Sequence, residues 1–192
     1  MNIRVKIDDI KEAGLDLRHE LALGDLAAIL EGEQTTGFRA VGAAALAIHF
    51  DRVNDRDIVA RGEVEVPTLA ECRRCLGPVR VPVPVHFELD FVNAEKVPQV
   101  APAEDDDTGE GEIAGSFRPD EADQVVYTGK EIDLGPVIRE QILLALPMDA
   151  LCTEDCKGLC QVCGGNLNER VCSCDRHVPD PRWAGLKNIK LS

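Results

Sequence analysis

The sequence predicts an α+β protein. We expect a mainly antiparallel, barrel-like β-meander domain with one or two helices, followed by a C-terminal cysteine-rich zinc-binding module. Three observations support this prediction. Apolar residues recur with period two between Phe38 and Val92, which is typical of strands with one buried face. A helical period follows between Leu134 and Leu146, and six of the eight cysteines then fall between Cys152 and Cys174.

The clearest strand runs from Val79 to Phe91, where apolar residues alternate with polar residues and prolines. Residues 58–68 alternate in the same way. Pro82 and Pro84 remove hydrogen-bond donors from one side of the strand, so this portion must lie at a sheet edge or beside a bulge. Residues 41–50 are apolar but rich in alanine, which leaves a strand and a helix both open.

Shorter elements flank this meander. Strands are expected around residues 3–7, 15–17 and 124–127, and a short helix over residues 25–31. The best helix begins after Asp133, which can cap it, tolerates Pro136 in its first turn and stops before Pro147.

The domain division follows from charge and cysteine content. Residues 1–147 are expected to form the β-rich core and residues 148–192 the metal-binding module, with a disordered acidic insertion at about 93–123. The formal net charge is −14, and nine acidic residues and one arginine lie between Val100 and Gln124. The insertion is either a solubilising loop or a nucleic-acid mimic that docks on a basic partner. So acidic a chain would repel bare phosphate backbone.

Composition excludes several classes of protein. With 44% hydrophobic residues, the chain can bury a core, and at 4% aromatic residues that core must be mainly aliphatic. No apolar run approaches the roughly 20 residues that a membrane helix needs. The N-terminal residues lack the apolar stretch of a secretory signal, so we expect a cytoplasmic protein.

The cysteines indicate a metal site. They are Cys72, Cys75, Cys152, Cys156, Cys160, Cys163, Cys172 and Cys174. In a reducing compartment this clustering favours metal binding over disulfides. A Cys-x-x-Cys turn followed by glycine lets two sulfurs converge on one ion, and all-sulfur ligation favours Zn²⁺ over Mg²⁺ or Ca²⁺. An iron–sulfur cluster and metal-free or redox-active thiols remain open.

How the cysteines share metal is also open. The preferred site is Cys160, Cys163, Cys172 and Cys174; Cys152 and Cys156 could replace the last pair. Cys72 and Cys75 would join whichever two are left. His177 could replace a thiolate. A closed four-sulfur site offers no open position for substrate, and no nucleophile–base arrangement is found, so we expect no enzyme.

Four segments together resemble the YceD family, the large ribosomal RNA subunit accumulation proteins. They are Leu69-Ala-Glu-Cys-Arg-Arg-Cys75, Ile132-Asp-Leu-Gly-Pro136, Glu140-Gln-Ile-Leu-Leu-Ala-Leu-Pro147 and Cys156-Lys-Gly-Leu-Cys-Gln-Val-Cys-Gly-Gly-Asn-Leu-Asn168. The resemblance implies a bacterial cytoplasmic factor needed for accumulation of 23S ribosomal RNA. It also implies a link to a zinc-type ribosomal protein of the large subunit.

Three functional hypotheses follow. The leading one is a non-enzymatic ribosome-assembly factor whose partners are a basic ribosomal protein, ribosomal RNA or both. The alternatives are a zinc-handling or chaperone module for a basic ribosomal protein, and a dithiol redox protein using Cys72 and Cys75. Candidate contacts to RNA or a partner are Arg73, Arg74, Arg80, Lys157 and Arg170, with Arg182, Lys187 and Lys190 in the tail.

Overall fold

The computed structural model describes residues 1–32, 36–54, 57–95 and 124–175. The chain divides into two compact units: the first comprises Met1–Leu69 and Arg80–Pro147, and the second comprises Ala70–Val79 and Met148–Ser192. Most described secondary structure is β, with two α-helices. Neither of these helices has the length and apolar character needed to cross a membrane.

The described elements include two short strands, Phe38–Ala40 and Glu131–Asp133, that were not predicted from the sequence. In chain order, the elements are β1 (Arg4–Lys6), β2 (Leu15–Leu21), α1 (Leu23–Leu30), β3 (Phe38–Ala40), β4 (Ala44–Arg52), β5 (Ile58–Glu71), β6 (Pro78–Asn93), β7 (Gln124–Tyr127), β8 (Glu131–Asp133) and α2 (Gly135–Leu144), with a 3₁₀ turn at Ile7–Asp9.

The main sheet has the strand order β2-β4-β5-β6-β7, with β3 also paired to β5, and β1 pairs with β8 in a separate two-stranded sheet. Strand β4 is antiparallel to both β2 and β5, as the meander prediction requires. Strand β7 instead runs parallel to β6, a pairing not expected from the sequence. The path through the described strands is open, so the barrel-like part of the prediction is not confirmed.

Alternating burial on the strands confirms the period-two pattern. On β4, Ala44, Leu46, Ile48 and Phe50 are buried, which resolves the alanine-rich segment as a strand. It is a strand because pairing on both sides, to β2 and β5, satisfies its backbone and buries one face. The largest fully buried side chains of the first unit are Ile10, Leu21, Leu26, Leu30, Leu46, Phe50, Ile58, Phe91, Ile132, Leu134, Ile138 and Ile142. The core is mainly aliphatic, as predicted.

The prolines of β6 lie where the sequence requires them. Strand β7 pairs only with Asp90–Asn93. Within the described residues, the portion of β6 that contains Pro82 and Pro84 therefore has β5 as its one neighbour. A strand with one neighbour can lose donors on its other side without loss of ladder hydrogen bonds.

Helix α2 begins and ends near its predicted signals. The Asp133 carboxylate accepts a hydrogen bond from the Gly135 N–H at 3.0 Å, although the N-cap residue itself is Leu134. The helix ends at Leu144, shortly before Pro147. Strand β6 continues to Asn93, and residues 96–123 of the expected insertion lie outside the described residues.

Gly62 on β5 gives a test of packing across the sheet. A Cβ at this position would lie 2.1 Å from the ring of Phe87. Two non-bonded carbon atoms in contact are about 3.5–4.0 Å apart, so the added methyl group would clash with the ring. We expect Gly62→Ala to lower the free energy of unfolding by about 1–3 kcal/mol, the usual cost of overpacking. Urea denaturation measures it. Phe87→Ala removes the ring, so adding Gly62→Ala to that variant should cost far less; equal costs in both backgrounds would contradict this packing.

Candidate metal centre

The first cysteine cluster lies in the second unit. Cys72 and Cys75 belong to the connection between β5 and β6, and Cys152 and Cys156 follow Met148 along the chain. The four Sγ atoms all lie within 4.8 Å of one another. The Cys72–Cys156 and Cys75–Cys152 sulfur pairs are 3.8 and 3.7 Å apart. Four sulfurs placed tetrahedrally at about 2.3 Å from zinc would be about 3.8 Å apart, so the cluster has the dimensions of a one-ion site.

The second cluster comprises Cys160, Cys163, Cys172 and Cys174, whose sulfurs also lie within 4.8 Å of one another. Cys160 is buried, Cys163 is exposed and the last two are half-buried. All eight cysteines are free thiols. The structure thus groups the cysteines in the partition preferred from the sequence, with Cys72 and Cys75 beside Cys152 and Cys156.

Each cluster is built on a turn with the same backbone hydrogen bonds. In the first turn, the Cys72 N–H donates to the Gly77 carbonyl at 2.8 Å and the Leu76 N–H donates to the Cys72 carbonyl at 2.8 Å. In the second turn, Cys160 makes the equivalent two bonds, each at 2.8 Å, with Gly165 and Gly164.

The fifth residue of each turn has a left-handed backbone, with φ of +59° at Leu76 and +67° at Gly164. Glycine adopts this conformation readily, whereas leucine adopts it at a cost of order 1 kcal/mol or more. The equivalent hydrogen bonds and the shared conformation define two copies of one turn, each presenting two sulfurs to the same side.

Gly158 allows two segments of the second unit to approach closely. Its φ is +72°, and a Cβ there would lie 2.9 Å from the Arg74 carbonyl oxygen. The next residue, Leu159, donates its N–H to that same carbonyl at 3.1 Å. This contact fixes the Cys72–Cys75 turn against the segment that leads from Cys156 to Cys160.

Thiols so close together cannot all ionise in the absence of a cation. Backbone N–H groups, chiefly that of Cys75, lower the pKa of Cys72 to about 6. The Gly77 N–H also lowers the pKa of Cys75, but burial and the neighbouring thiols outweigh it and raise that pKa to about 12. One thiolate therefore opposes formation of the next. A bound cation would remove this opposition, since it stabilises all four thiolates together.

The second cluster repeats the same contrast. The N–H groups of Cys163 and Val162, with a contribution from Cys172, lower the pKa of Cys160 to about 6. Hydrogen bonding to Cys163, together with burial, raises the pKa of Cys174 to about 12. In both clusters the pKa of the first cysteine of the turn is lowered to about 6.

Two predicted contact residues are engaged within the second unit. The Arg73 guanidinium forms an ion pair with Asp149. The Arg74 guanidinium donates to the carbonyl oxygens of Glu154 and Cys156 at 2.9 and 3.0 Å. Both arginines are exposed, and both also make contacts within the second unit that hold its segments together.

The remaining predicted contacts are separated along the chain. Lys157 and Arg170 are exposed and line one shallow hollow of the second unit with Leu167 and Val171. Arg80 is an exposed residue of β6 in the first unit. The predicted ligand His177 and the predicted contacts Arg182, Lys187 and Lys190 lie outside the described residues.

Outside the cysteines, the described residues offer no comparable site. In residues 1–32, 36–54, 57–95 and 124–175, only the two sulfur clusters bring three or more possible metal ligands together. His86 is exposed on its strand. His49 lies between Asp16 and Asp51 at 2.7 and 3.1 Å, and hydrogen bonding to Asp16, then to Asp51, raises its pKa. These groups form an exposed ion-pair network on the sheet.

Sequence reasoning assigned no role to Asn168. Its side-chain amide donates to the Cys156 sulfur at 3.3 Å and accepts from the Lys157 N–H at 2.8 Å. The segment Gly-Gly-Asn-Leu-Asn after Cys163 contributed to the family resemblance, but its spacing gave no indication that an amide reaches the other cluster.

Comparison with known proteins places these clusters in a family. A family profile described as "Large ribosomal RNA subunit accumulation protein YceD" matches residues 60–190. The chain is 41% identical over 61 residues, 32% of this chain and 19% of the relative, to the chloroplastic YCED homolog 1 of Arabidopsis thaliana. It is 34% identical over 114 residues, 54% of this chain and 39% of the relative, to the homolog of the same name from Zea mays.

A mycobacterial relative matches over a longer stretch. An uncharacterized protein of Mycobacterium tuberculosis is 35% identical over 136 residues, which cover 67% of this chain and 54% of that protein. The chain thus spans about half or less of the length of these curated relatives. No solved structure matches. The profile match covers more than half of the chain and includes all eight cysteines; the chain belongs to the YceD family of large ribosomal RNA subunit accumulation proteins.

Proposed function

We propose that this chain is a non-enzymatic ribosome-biogenesis factor that supports 23S ribosomal RNA accumulation and large-subunit assembly. The observation that carries the proposal is the family match over residues 60–190, because the family is named for large-subunit ribosomal RNA accumulation. Its partners are components of the large ribosomal subunit, a basic ribosomal protein, ribosomal RNA or both. It acts in a reducing compartment, the bacterial cytoplasm, where eight thiols stay reduced.

The proposal includes one structural Zn²⁺ in each cysteine cluster. Cys72, Cys75, Cys152 and Cys156 would hold one ion, and Cys160, Cys163, Cys172 and Cys174 the other. Sulfur separations of 3.7 and 3.8 Å suit a single tetrahedral ion. Zinc is favoured because four-cysteine tetrahedral ligation is its usual structural site. In the first cluster, the ion would cross-link two segments that are distant along the chain, at Cys72–Cys75 and at Cys152–Cys156.

The same geometry supports a role without catalysis. Four protein sulfurs complete the coordination of a tetrahedral ion, so neither cluster would leave a position for water or substrate. In the His49 network, another ionisable arrangement of the described residues, both ring nitrogens are already engaged by the carboxylates of Asp16 and Asp51.

Zinc content provides the first test. Protein purified without oxidants or chelators should contain two zinc ions per chain by elemental analysis, because each cluster has four sulfurs in reach of one ion. Cys72→Ser/Cys75→Ser and Cys172→Ser/Cys174→Ser should each retain one. A metal-free wild-type chain would contradict the zinc assignment, and a Cys72–Cys75 disulfide in such protein would favour the redox alternative.

Depletion of the protein in its host tests the biological role. We expect the ratio of 23S to 16S ribosomal RNA to fall, since a factor for large-subunit assembly protects the RNA of that subunit. Wild-type protein should restore the ratio, whereas Cys72→Ser/Cys75→Ser should not. Asp16→Asn/His49→Gln is the matched control and should restore it, because that exposed network has no role in the proposal. An unchanged ratio on depletion would remove the proposed function.

Gly158→Ala tests the close approach on which the first cluster depends. The new methyl would press on the Arg74 carbonyl oxygen, 2.9 Å from its position, in a backbone conformation that is already unfavourable for alanine. We expect the substitution to lower the stability of the zinc-bound first cluster by about 1–3 kcal/mol. The measurement is the rate of zinc transfer to a colorimetric chelator, which should increase. Gly164→Ala is the control, because its φ is +67° and nothing lies within 4 Å of its Cβ. Equal release from both variants would show that backbone strain alone matters.

A further inference from the structure

Asn168 connects the two cysteine clusters. It lies between Cys163 and Cys172, two ligand candidates of the second cluster, yet its side-chain Nδ2 donates to the sulfur of Cys156 in the first cluster at 3.3 Å. The other side-chain hydrogen bonds to sulfur in the described residues join two cysteines, whereas this one is donated by an asparagine. Asn168 thus lies in the sequence among the cysteines of the second cluster, but its side chain contacts a cysteine of the first cluster.

The orientation of the Asn168 amide is fixed by its neighbours. The Lys157 backbone N–H points at Oδ1 at 2.8 Å, and a backbone N–H can only donate. The Nδ2 group must therefore face the opposite side, where its two hydrogens reach the Cys156 sulfur and the Asn166 Oδ1 at 2.9 Å. Every donor and acceptor of this amide has a partner.

The segment between Cys163 and Cys172 is held at several points. The Leu167 N–H donates to the Gly158 carbonyl at 2.9 Å, and the Asn168 N–H donates to Asn166 Oδ1 at 3.0 Å. The two ends of the segment are cysteines of the second cluster. A metal ion in the second cluster would fix both ends and so hold Asn168 in place for the first.

We propose that Asn168 is a positioning residue that stabilises the Cys156 thiolate of the first cluster and makes metal binding at the two clusters cooperative. A donor to a ligating thiolate stabilises its negative charge, and outer partners of this kind typically alter metal affinity by about 10–100-fold. This inference rests on the proposed metal binding, but concerns the communication between the clusters.

Asn168→Asp is the test variant, because it keeps the oxygen that accepts from Lys157 and replaces the amide donor by a carboxylate oxygen. The full chain is loaded with ¹¹³Cd²⁺, which reports each four-sulfur site as its own resonance. Affinity is measured by competition with a chelator. We expect the first cluster to lose about tenfold in Cd²⁺ affinity and its resonance to move, with the second resonance unchanged.

Cooperativity requires a second comparison. In Cys172→Ser/Cys174→Ser, which removes two ligands of the second cluster, Asn168→Asp should lower the Cd²⁺ affinity of the first cluster by much less than tenfold, because the segment is no longer fixed at Cys172.

Glu169→Ala is the control. It removes the partner of the Asn166 amide at 2.8 Å and leaves the Asn168 donor, so the ¹¹³Cd resonance of the first cluster should not move. Dispersed amide signals from the second unit, which contains all of these substitutions, verify that each variant is folded.

The outcomes separate the inference from the function on which it rests. A wild-type chain without bound Cd²⁺ would overturn both. Two bound ions with an Asn168→Asp resonance and affinity like wild type would overturn the role of Asn168 alone. An equal effect of Asn168→Asp with and without the second cluster would overturn the cooperativity, because the two clusters would then be independent.

Discussion

The crowding of four thiol sulfurs within 4.8 Å is the constraint on which the second unit depends. Its buried apolar side chains among the described residues are few, and they are Ala70, Cys72, Ala150, Cys156 and Cys160. Cysteine sulfurs thus occupy the place that aliphatic side chains take in an ordinary core. A core this small contributes little hydrophobic free energy, and the metal ions proposed for the clusters would add to the cohesion of the unit.

The first unit obeys a different constraint. Its fully buried residues are almost all aliphatic, and most of them come from β2, α1, β4, β5, β6, β8 and α2. Burial of this kind does not require a metal ion, so removal of metal would act on the second unit and leave the first unit's own core intact. A chelator is therefore a means of separating the contributions of the two units to any measured function.

Much of the fold was predictable because strands with one buried face show alternating apolar and polar residues in the sequence. The grouping of the cysteines was less predictable, since spacing alone allowed Cys152 and Cys156 to replace Cys172 and Cys174. The positions of the sulfur atoms show the grouping, and the close approach of Gly158 to the Arg74 carbonyl that accompanies it is a tertiary contact. The parallel pairing of β7 and the role of Asn168 were not predictable for the same reason: each follows from chain segments that meet across a long stretch of sequence.

The basic residues expected to contact RNA or a partner now fall into two kinds. Arg73 and Arg74 are engaged by Asp149 and by backbone carbonyls, so substitution of either would disturb the unit as well as any interface. Lys157 and Arg170 have no ion-pair partner in the part of the chain that the structure describes, and they flank the almost fully exposed Val171. A loss of partner binding on substitution is therefore easier to interpret at Lys157 and Arg170, where charge can be removed without breaking an ion pair of the described residues.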